Sequence, residues 1–243
     1  MMENSKIKLL EEWIRQAKRI AFFGGAGVST ESGIPDYRSV DGLYHQSFKY
    51  PPETYLSHSF FVTHTDEFFD FYRAKMMKLD AVPNPAHLKL AEWEKAGKHV
   101  DVITQNIDGL HGLAGSTRVF ELHGSVHRNY CMNCRKCYDA QFIQNSKGVP
   151  RCTCGGIIKP DVVLYEEPLD STVMEDATDS IRLSDLMIIG GTSLTVYPAA
   201  GLIRYFRGQH LVLINRAETP ADEMADLVIR DPIGEVFSKI QID

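Results

Sequence analysis

Short runs of β-branched and aromatic residues alternate along this chain with longer stretches of helical periodicity. Residues 85–96, 171–183 and 198–206 have the helical spacing. Parallel strands need crossover connections, which helices usually provide, so the alternation favours a parallel sheet. It predicts an α/β fold with a Rossmann-like parallel sheet and helices on both faces. The strands expected in that sheet are residues 20–23, 100–104, 161–164, 186–189, 211–214 and 227–229.

Two stretches interrupt this alternation. Residues 41–82 are rich in aromatic side chains and become helical between about residues 66 and 79, and residues 128–159 contain every cysteine. We expect these stretches to form a smaller domain, one part a helical module and the other a zinc-binding module. The larger, Rossmann-like domain would comprise residues 1–40, 83–127 and 160–243. A cleft between the two domains is the natural place for a ligand.

The charge balance and hydropathy narrow the classes of partner. A net charge of −6 gives no excess of Lys and Arg for binding a nucleic-acid backbone. No apolar run approaches the roughly 20 residues that span a bilayer. We therefore expect a cytoplasmic protein without a nucleic-acid or membrane partner. The chain begins with the pattern of an amphipathic surface helix, whose apolar positions are Ile7, Leu10, Ile14 and Ala17.

The five cysteines lie in one short segment. An odd number so close together suits a metal site in a reducing compartment better than a disulfide framework. Four thiolates in two pairs fit a closed, structural zinc site, with the ligands Cys131, Cys134, Cys152 and Cys154. The second pair is unusually short, and Cys137 is a spare thiol that could replace Cys154. A zinc ribbon that binds partners is an alternative function for this segment.

Four polar or glycine-rich turns directly follow predicted strands: residues 24–27, 104–108 and 190–193, and Asn215. Carboxyl ends of parallel strands meet at one edge of a sheet, where α/β proteins bind their ligands. Glycines after the first strand would let the backbone approach a pyrophosphate. Thr30 stands where the third glycine of the dinucleotide fingerprint would be, so this turn alone fits a plain strand-to-helix connection equally well.

Longer motifs make a family resemblance specific. Residues 25–38 read GAGVSTESGIPDYR, residues 104–111 read TQNIDGLH, residues 121–124 read ELHG and residues 191–198 read GTSLTVYP. In this order they resemble the signature motifs of the sirtuins, which are NAD-dependent protein-lysine deacylases. The resemblance covers nearly the whole chain. It implies NAD+ as co-substrate and acetyl-lysine proteins or peptides as partners.

The resemblance also implies roles for individual residues in the cofactor site. Arg38 and Ser193 would lie near phosphates, because a guanidinium forks onto phosphate oxygens. Gln105 and Asn215 would lie near ribose hydroxyls. Tyr37 replaces the phenylalanine that is usual in the family. The full implied cofactor set is Ala26, Thr30, Tyr37, Arg38, Gln105, Ile107, Asp108, His123, Gly191, Thr192, Ser193, Asn215 and Ile233.

The resemblance also implies roles in the reaction for three motif residues. His123 would be the general base, because a neutral imidazole can take a proton from a ribose hydroxyl at neutral pH. Asp108 and the backbone at Ile107 would hold the nicotinamide carboxamide. Asn106 would order a water molecule or the strained nicotinamide ribose.

Residues 160–167, PDVVLYEE, resemble the family's substrate strand. The resemblance implies that the peptide adds as a strand between residues 165–167 and 192–196, with Val163 and Tyr165 at the substrate. The family usually has Phe-Gly-Glu at residues 165–167. Tyr72 and Lys75 occupy the place of a Tyr-x-x-Arg pair in members that prefer succinyl or malonyl lysine. Lysine lacks the planar fork of arginine, so acetyl-lysine is the predicted substrate.

The predicted function is NAD-dependent protein-lysine deacetylation, with transfer of the acetyl group to ADP-ribose and release of nicotinamide. A nicotinamide dehydrogenase would leave Asn106, Asp108 and His123 without a role. Intact Asn106 and His123 also disfavour a non-catalytic NAD-binding or peptide-binding module. A sirtuin-like protein ADP-ribosyltransferase stays open as the alternative, because it would use the same glycosidic cleavage.

Overall fold

The computed structural model describes residues 2–37, 42–43 and 46–242. The strands in these residues are β1 (Arg19–Gly24), β2 (His99–Thr104), β3 (Val119–Glu121), β4 (Gly124–Cys131), β5 (Cys137–Tyr138), β6 (Ile158–Val162), β7 (Leu186–Gly190), β8 (His210–Ile214) and β9 (Leu227–Ile229). The α-helices are α1 (Met2–Gln16), α2 (Pro52–Tyr55), α3 (His58–Thr63), α4 (Thr65–Phe71), α5 (Pro85–Lys95), α6 (Leu110–Ala114), α7 (Ala140–Asn145), α8 (Ser171–Leu183) and α9 (Ile233–Ser238). Short 3-10 helices cover Ala26–Val28, Thr30–Ser32, Ala199–Tyr205 and Asp222–Met224, and a π-helical turn covers Tyr72–Met76.

A six-stranded sheet with the order β3-β2-β1-β7-β8-β9 forms the centre of the molecule. Every pair of neighbours in it is parallel. From β1 the chain adds β2 and then β3 on one side of β1. It later adds β7, β8 and β9 on the other side, so the order of the strands reverses between β1 and β7. Such a switch point is where open α/β sheets bind ligands. The predicted Rossmann-like α/β class is confirmed.

One predicted strand belongs to a different sheet. Residues 161–164 were expected in the parallel sheet, but β6 pairs antiparallel with β4 in a small sheet of order β5-β4-β6. The burial of β6 alternates, as in a strand that has one face against a core. The parallel strand that the sequence did not predict is β3, whose three residues are all half-buried and make no apolar run.

Helices cover both faces of the parallel sheet, as predicted. On one face α1, α5 and α9 pack against it, and their largest buried side chain is Trp93. The predicted amphipathic helix is confirmed, because Leu10 and Ile14 of α1 are fully buried. On the other face α8 packs beside the 3-10 helix Ala199–Tyr205, which stands where residues 198–206 predicted a helix. No helix within the described ranges is long and apolar enough to cross a membrane.

The helical and cysteine-containing segments share one aromatic core. Phe68 and Tyr72 are fully buried in the same cluster as Cys131. Arg73 also joins the two segments, since its guanidinium donates to Ser146 Oγ over 3.3 Å and to Gly148 O over 2.9 Å. We propose the predicted division into a large and a small domain. Strands β4 and β6 cross its sequence boundaries and connect the domains.

Candidate active site

The four predicted turns lie side by side at the carboxyl edge of the parallel sheet. They follow β2, β1, β7 and β8, which are neighbours in that order. Backbone hydrogen bonds join the turns: Gln105 N donates to Gly24 O over 3.0 Å, Gly27 N to Gly191 O over 2.8 Å, and Gly191 N to Ile214 O over 3.1 Å. The sequence motifs therefore form one continuous surface across the switch point.

Two of the glycines are required by the close packing of these turns. Gly191 has φ +57°, and a Cβ built on it would lie 2.3 Å from Val28 N. A Cβ on Gly27 would lie 2.8 Å from Gly191 Cα. Any side chain at either position would push the turns apart. The turns can therefore meet only as bare backbone, which suits a site that must approach a pyrophosphate closely.

Most of the implied cofactor residues lie along this edge. Gln105 Nε2 donates to Thr192 Oγ1 over 3.1 Å, which connects the turns after β2 and β7. Asn215 Nδ2 donates to Ala217 O over 2.8 Å. Thr30 Oγ1 donates to Gly27 O over 3.0 Å. The half-buried members of the set are Ala26, Tyr37, Gln105, Ile107, Asp108, His123, Gly191, Ser193 and Asn215.

Two members of that set stand apart. The side chain of Ile233 is buried in the core, where a Cβ on Gly190 would lie 2.3 Å from Ile233 Cδ1. Its contact with NAD+ stays a prediction. Arg38, the predicted phosphate ligand, lies outside the described residues.

His123 connects the large sheet to the small one. Its Nδ1 lies 2.9 Å from Gln105 O, and its own carbonyl accepts from Val163 N over 3.0 Å. A carbonyl oxygen can only accept, so Nδ1 carries the proton and Nε2 of the neutral ring keeps a lone pair. Burial lowers the pKa of His123, and the bond to Gln105 opposes this in part. The ring is therefore neutral at pH 7, as a general base must be.

Ser29 joins the other two catalytic candidates. Its hydroxyl donates to Asp108 Oδ2 over 2.7 Å and accepts from Asn106 Nδ2 over 3.0 Å. Asp108 Oδ1 also accepts from Leu110 N over 2.9 Å. Ser29 is buried and was not among the predicted site residues. Its place within the glycine-rich motif was the signal that could have identified it.

Two buried histidines continue this group of contacts: His87 lies next to Ser29, and His111 packs against His87. His87 Nδ1 accepts from Asn84 N over 3.2 Å, so its Nε2 carries the proton and faces Ser29 Oγ at 3.5 Å. His111 packs edge-on against His87, and neither of its ring nitrogens has a hydrogen-bond partner within the described part of the chain. Burial lowers the pKa of His87 to about 4, although Asp108 opposes the shift. Burial and the neighbouring His87 also lower the pKa of His111 well below 6.5.

These histidines predict that the fold loses stability in mild acid. An unfolded histidine titrates near 6.5, so between that pH and about 4 the unfolded chain binds more protons than the folded one. The stability is complete above pH 6.5 and falls as the pH drops, by about 3 kcal/mol for His87 alone. We expect denaturant midpoints to fall across this range, and less steeply for His111→Phe. If the denaturant midpoint fell equally steeply with pH in His111→Phe and in the wild type, the prediction would be wrong.

Four cysteine sulfurs form a compact cluster in the small domain. The Sγ atoms of Cys131, Cys134, Cys152 and Cys154 all lie within 4.8 Å of one another; Cys131 and Cys154 are 3.4 Å apart, and Cys134 and Cys152 are 3.6 Å apart. Tetrahedral zinc with Zn–S bonds of about 2.3 Å needs sulfurs about 3.8 Å apart, so the cluster is consistent with structural zinc. Cys137 is exposed on β5 outside the cluster.

The short second pair is accommodated by a glycine turn. Gly155 has φ +85° and its N–H donates to Cys152 O over 2.8 Å, while Gly156 O accepts from Cys152 N over 2.8 Å. A Cβ on Gly156 would lie 2.8 Å from Cys131 Sγ. The backbone N–H of Cys154 and the Tyr138 hydroxyl lower the pKa of Cys152 to about 5, whereas, although the backbone N–H of Gly156 opposes this shift, the neighbouring thiols raise the pKa of Cys154 to about 12. Without a metal, the cluster therefore favours a thiolate at Cys152 and a thiol at Cys154. A thiolate is the form that binds metal.

The predicted substrate segment is attached to the helical module. Tyr165 N donates to Leu56 O over 2.9 Å, and Tyr165 O accepts from His58 N over 3.0 Å. Glu166 has φ +76°, at the place where the family usually has glycine. Its carboxylate accepts from Ser59 N over 2.8 Å and from Ser59 Oγ over 2.6 Å. These two bonds hold a backbone conformation that is unfavourable for a residue with a side chain.

Tyr72 and Lys75 occupy different environments. Tyr72 is fully buried, and its hydroxyl has no hydrogen-bond partner among the residues described. Burial raises the pKa of that hydroxyl, so it stays protonated. Lys75 Nζ donates to Gln46 Oε1 over 2.9 Å and lies 5.2 Å from the centre of the Phe48 ring. The guanidinium of Arg73 is held by the zinc-binding segment and does not take the place of Lys75.

Comparisons with known proteins agree with this arrangement. Residues 25–198 match the model of the Sir2 family. The chain is 58% identical over 241 residues to an NAD-dependent protein deacetylase of Clostridium perfringens, covering 98% of this chain and 99% of that protein. It is 55% identical to an NAD-dependent protein deacetylase of Clostridium acetobutylicum, covering 99% of this chain and all of that protein.

Two solved structures are similar in both fold and sequence. One is a Sir2 mutant with deacetylated p53 peptide and 3'-O-acetyl-ADP-ribose, with a TM-score of 0.87, 37% identity and 96% of each chain covered. The other is Sir2 bound to an acetylated peptide, with a TM-score of 0.85, 36% identity and 96% of each chain covered.

Proposed function

This chain belongs to the Sir2 family and is an NAD-dependent protein deacetylase, and we propose that its reaction takes place at the edge formed by the turns after β2, β1, β7 and β8. Acetyl-lysine proteins or peptides would be the substrates. The similar Sir2 structures that contain an acetylated peptide support this proposal. A cytoplasmic location stays a prediction, supported by a cluster of reduced thiols that suits a reducing compartment.

The acetyl group would pass to ADP-ribose. Acetyl-lysine, NAD+ and water would give lysine, nicotinamide and O-acetyl-ADP-ribose. The Sir2 structure that holds a deacetylated peptide beside 3'-O-acetyl-ADP-ribose supports this outcome. Bound NAD+ supplies the glycosidic bond that breaks and the ribose hydroxyl that accepts the acetyl group.

One observation carries the assignment of the base. The proton on His123 Nδ1 is held by Gln105 O at 2.9 Å, which leaves Nε2 as the nitrogen that can accept a proton. In our proposal Nε2 would accept the proton of the ribose hydroxyl that receives the acetyl group, and the lysine would leave as its amine. The bond from Val163 N to the carbonyl of His123 connects the base to the predicted substrate segment.

The remaining residues would bind and orient the reactants. Asp108 and the backbone at Ile107 would hold the nicotinamide carboxamide, while Asn106 would order a water molecule or the ribose. Ser29 keeps both side chains in place, because its hydroxyl is bonded to each of them. Ser193 would bind phosphate, and Gln105 and Asn215 would bind ribose hydroxyls. Four cysteines would hold a zinc ion that maintains the small domain: Cys131, Cys134, Cys152 and Cys154.

A single incubation separates deacetylation from protein ADP-ribosylation. The protein would be incubated with NAD+ and an acetyl-lysine peptide while nicotinamide release and peptide mass are followed. We expect one nicotinamide per peptide and a peptide lighter by one acetyl group. A peptide that becomes heavier by ADP-ribose would favour the transferase instead, and nicotinamide release without any change in peptide mass would contradict both.

The environment of Lys75 predicts a preference for acetyl over succinyl lysine. Its ammonium is engaged with Gln46 and Phe48 and cannot grip a carboxylate at two points as a guanidinium does. We expect higher kcat/KM on the acetyl form of a given peptide, and a gain on the succinyl form for Lys75→Arg. Lys78→Arg, which adds an exposed guanidinium nearby, is the matched control. A wild type that favours succinyl, or no gain for Lys75→Arg, would overturn the prediction.

A further inference from the structure

We propose that His127 is a positioning residue that fixes the Ile107–Asp108 turn for binding nicotinamide. The inference rests on the proposed function, in which this turn holds the carboxamide. His127 is on β4, three residues beyond the ELHG motif of residues 121–124. Its Nε2 lies 2.9 Å from Asp108 O, so this nitrogen carries a proton and donates it to the carbonyl.

The turn is held along its length by the chain segment that carries His123. His123 Nδ1 donates to Gln105 O over 2.9 Å, and Val126 N donates to Ile107 O over 3.0 Å. His127 Nε2 adds the bond to Asp108 O. Three of the four successive carbonyls from Gln105 to Asp108 therefore receive a hydrogen bond from this segment. Within the part of the chain that the structure describes, the carbonyl of Asp108 accepts its hydrogen bond from the His127 side chain.

The direction of each carbonyl sets the direction of the next N–H. In a trans peptide the N–H points opposite to the C=O of the same unit. The bond from Val126 therefore turns Asp108 N–H away from β4, and the bond from His127 does the same for Gly109 N–H. Both peptide planes flank the Asp108 side chain. Without His127 the second plane could rotate, and the carboxylate and its neighbouring donors would lose their fixed orientation.

The shape of the turn allows the imidazole to lie directly against it. Gly109 has φ +72°, and a Cβ built on it would lie 2.8 Å from His127 Cδ2. The ring thus covers bare backbone at the point where the chain reverses into α6. Asp108 is also bonded through its side chain to Ser29 and Leu110. Those bonds fix the carboxylate, whereas His127 fixes the peptide that follows it.

The test compares His127→Phe with His127→Gln. Phenylalanine keeps a ring over Gly109 without a donor, while glutamine restores an N–H. For one lost hydrogen bond we expect the inhibition constant of added nicotinamide to rise about five-fold in His127→Phe. We expect kcat/KM for NAD+ to fall by a similar factor. The KM for the acetylated peptide and the melting temperature should stay unchanged, and glutamine should recover at least half of the loss.

Two further variants separate the outcomes. His210→Phe removes an imidazole at the opposite edge of the sheet, where β8 begins, and should leave nicotinamide inhibition unchanged. Asp108→Asn tests the proposed site itself. If Asp108→Asn leaves the nicotinamide inhibition constant unchanged, the proposed function of the turn is wrong. If Asp108→Asn raises it but His127→Phe does not, or if His127→Phe changes peptide KM and melting temperature equally, the positioning role of His127 is wrong.

Discussion

Replacement of His123 by alanine is expected to lower deacetylase turnover by at least ~100-fold, equivalent to about 2.7 kcal/mol of barrier. The reason is that Nδ1 is bonded to Gln105 O, which leaves Nε2 as the ring nitrogen that can accept a proton. Folding should stay near that of the wild type, and NAD+ affinity should change by no more than the about five-fold expected for the one hydrogen bond that the ring makes to the turn among the residues described. Turnover under saturating NAD+ and peptide measures the effect, and the dissociation constant for NAD+ is the control.

The pH profile gives this prediction a second readout. Burial lowers the pKa of His123, so the wild type should keep its activity below pH 6.5 and lose it only as the ring becomes protonated. The residual activity of His123→Ala should lack this acidic limb. His210→Ala should behave as the wild type at every pH. Retention of most activity in His123→Ala would falsify the assignment of the base.

Loss of zinc is expected to unfold the small domain. Closed thiolate sites contribute binding energy directly to folding, on the order of 10 kcal/mol in zinc-finger peptides. We expect one zinc per chain in the purified protein and almost none in Cys154→Ser. A chelator should expose the segment between β4 and β6 to proteolysis, while the parallel sheet resists for longer. Metal analysis and limited proteolysis measure the two effects.

Cys137→Ser is the matched control for the zinc site. Cys137 lies in the same segment but outside the cluster of four sulfurs, so its serine variant should keep a full complement of zinc. If only Cys137→Ser lost the metal, the ligand set would be wrong. If both variants kept it, Cys131, Cys134, Cys152 and one other group would have to complete the coordination, and the assignment of Cys154 as a ligand would be wrong.

The carboxyl edge of the sheet could be predicted from the sequence because its residues are close together in short motifs. Each glycine-rich or polar turn directly follows an apolar run, and parallel strands bring all such turns to one side. The cysteine cluster could also be predicted, because its two pairs of thiols are close together in the chain. In a reducing compartment, where disulfides are rare, such pairs indicate a metal site. Cys154 was also chosen from the sequence, with Cys137 as the alternative; the structure adds the tight turn at Gly155, with φ +85°, and the position of Cys154 Sγ within the cluster.

The contacts that could not be predicted join residues far apart in the chain. Ser29 is 79 residues from Asp108 and 58 from His87, and only the packing of β1 against β2 and α5 brings them together. Strand β3 was missed because its three half-buried residues have no apolar run. Residues 161–164 were placed in the wrong sheet because β-branched residues favour a strand without specifying its partner.

The fate of the acetyl carbon tests the central claim most directly. A peptide with an isotopically labelled acetyl group on lysine would be incubated with NAD+ and the wild-type protein, and the small-molecule products would be resolved by mass. We predict that the label appears on ADP-ribose in equal amount to the nicotinamide released and the lysine formed. Labelled free acetate formed at the same rate without NAD+ would contradict the account, because acetyl transfer to the ribose would then play no part in deacetylation.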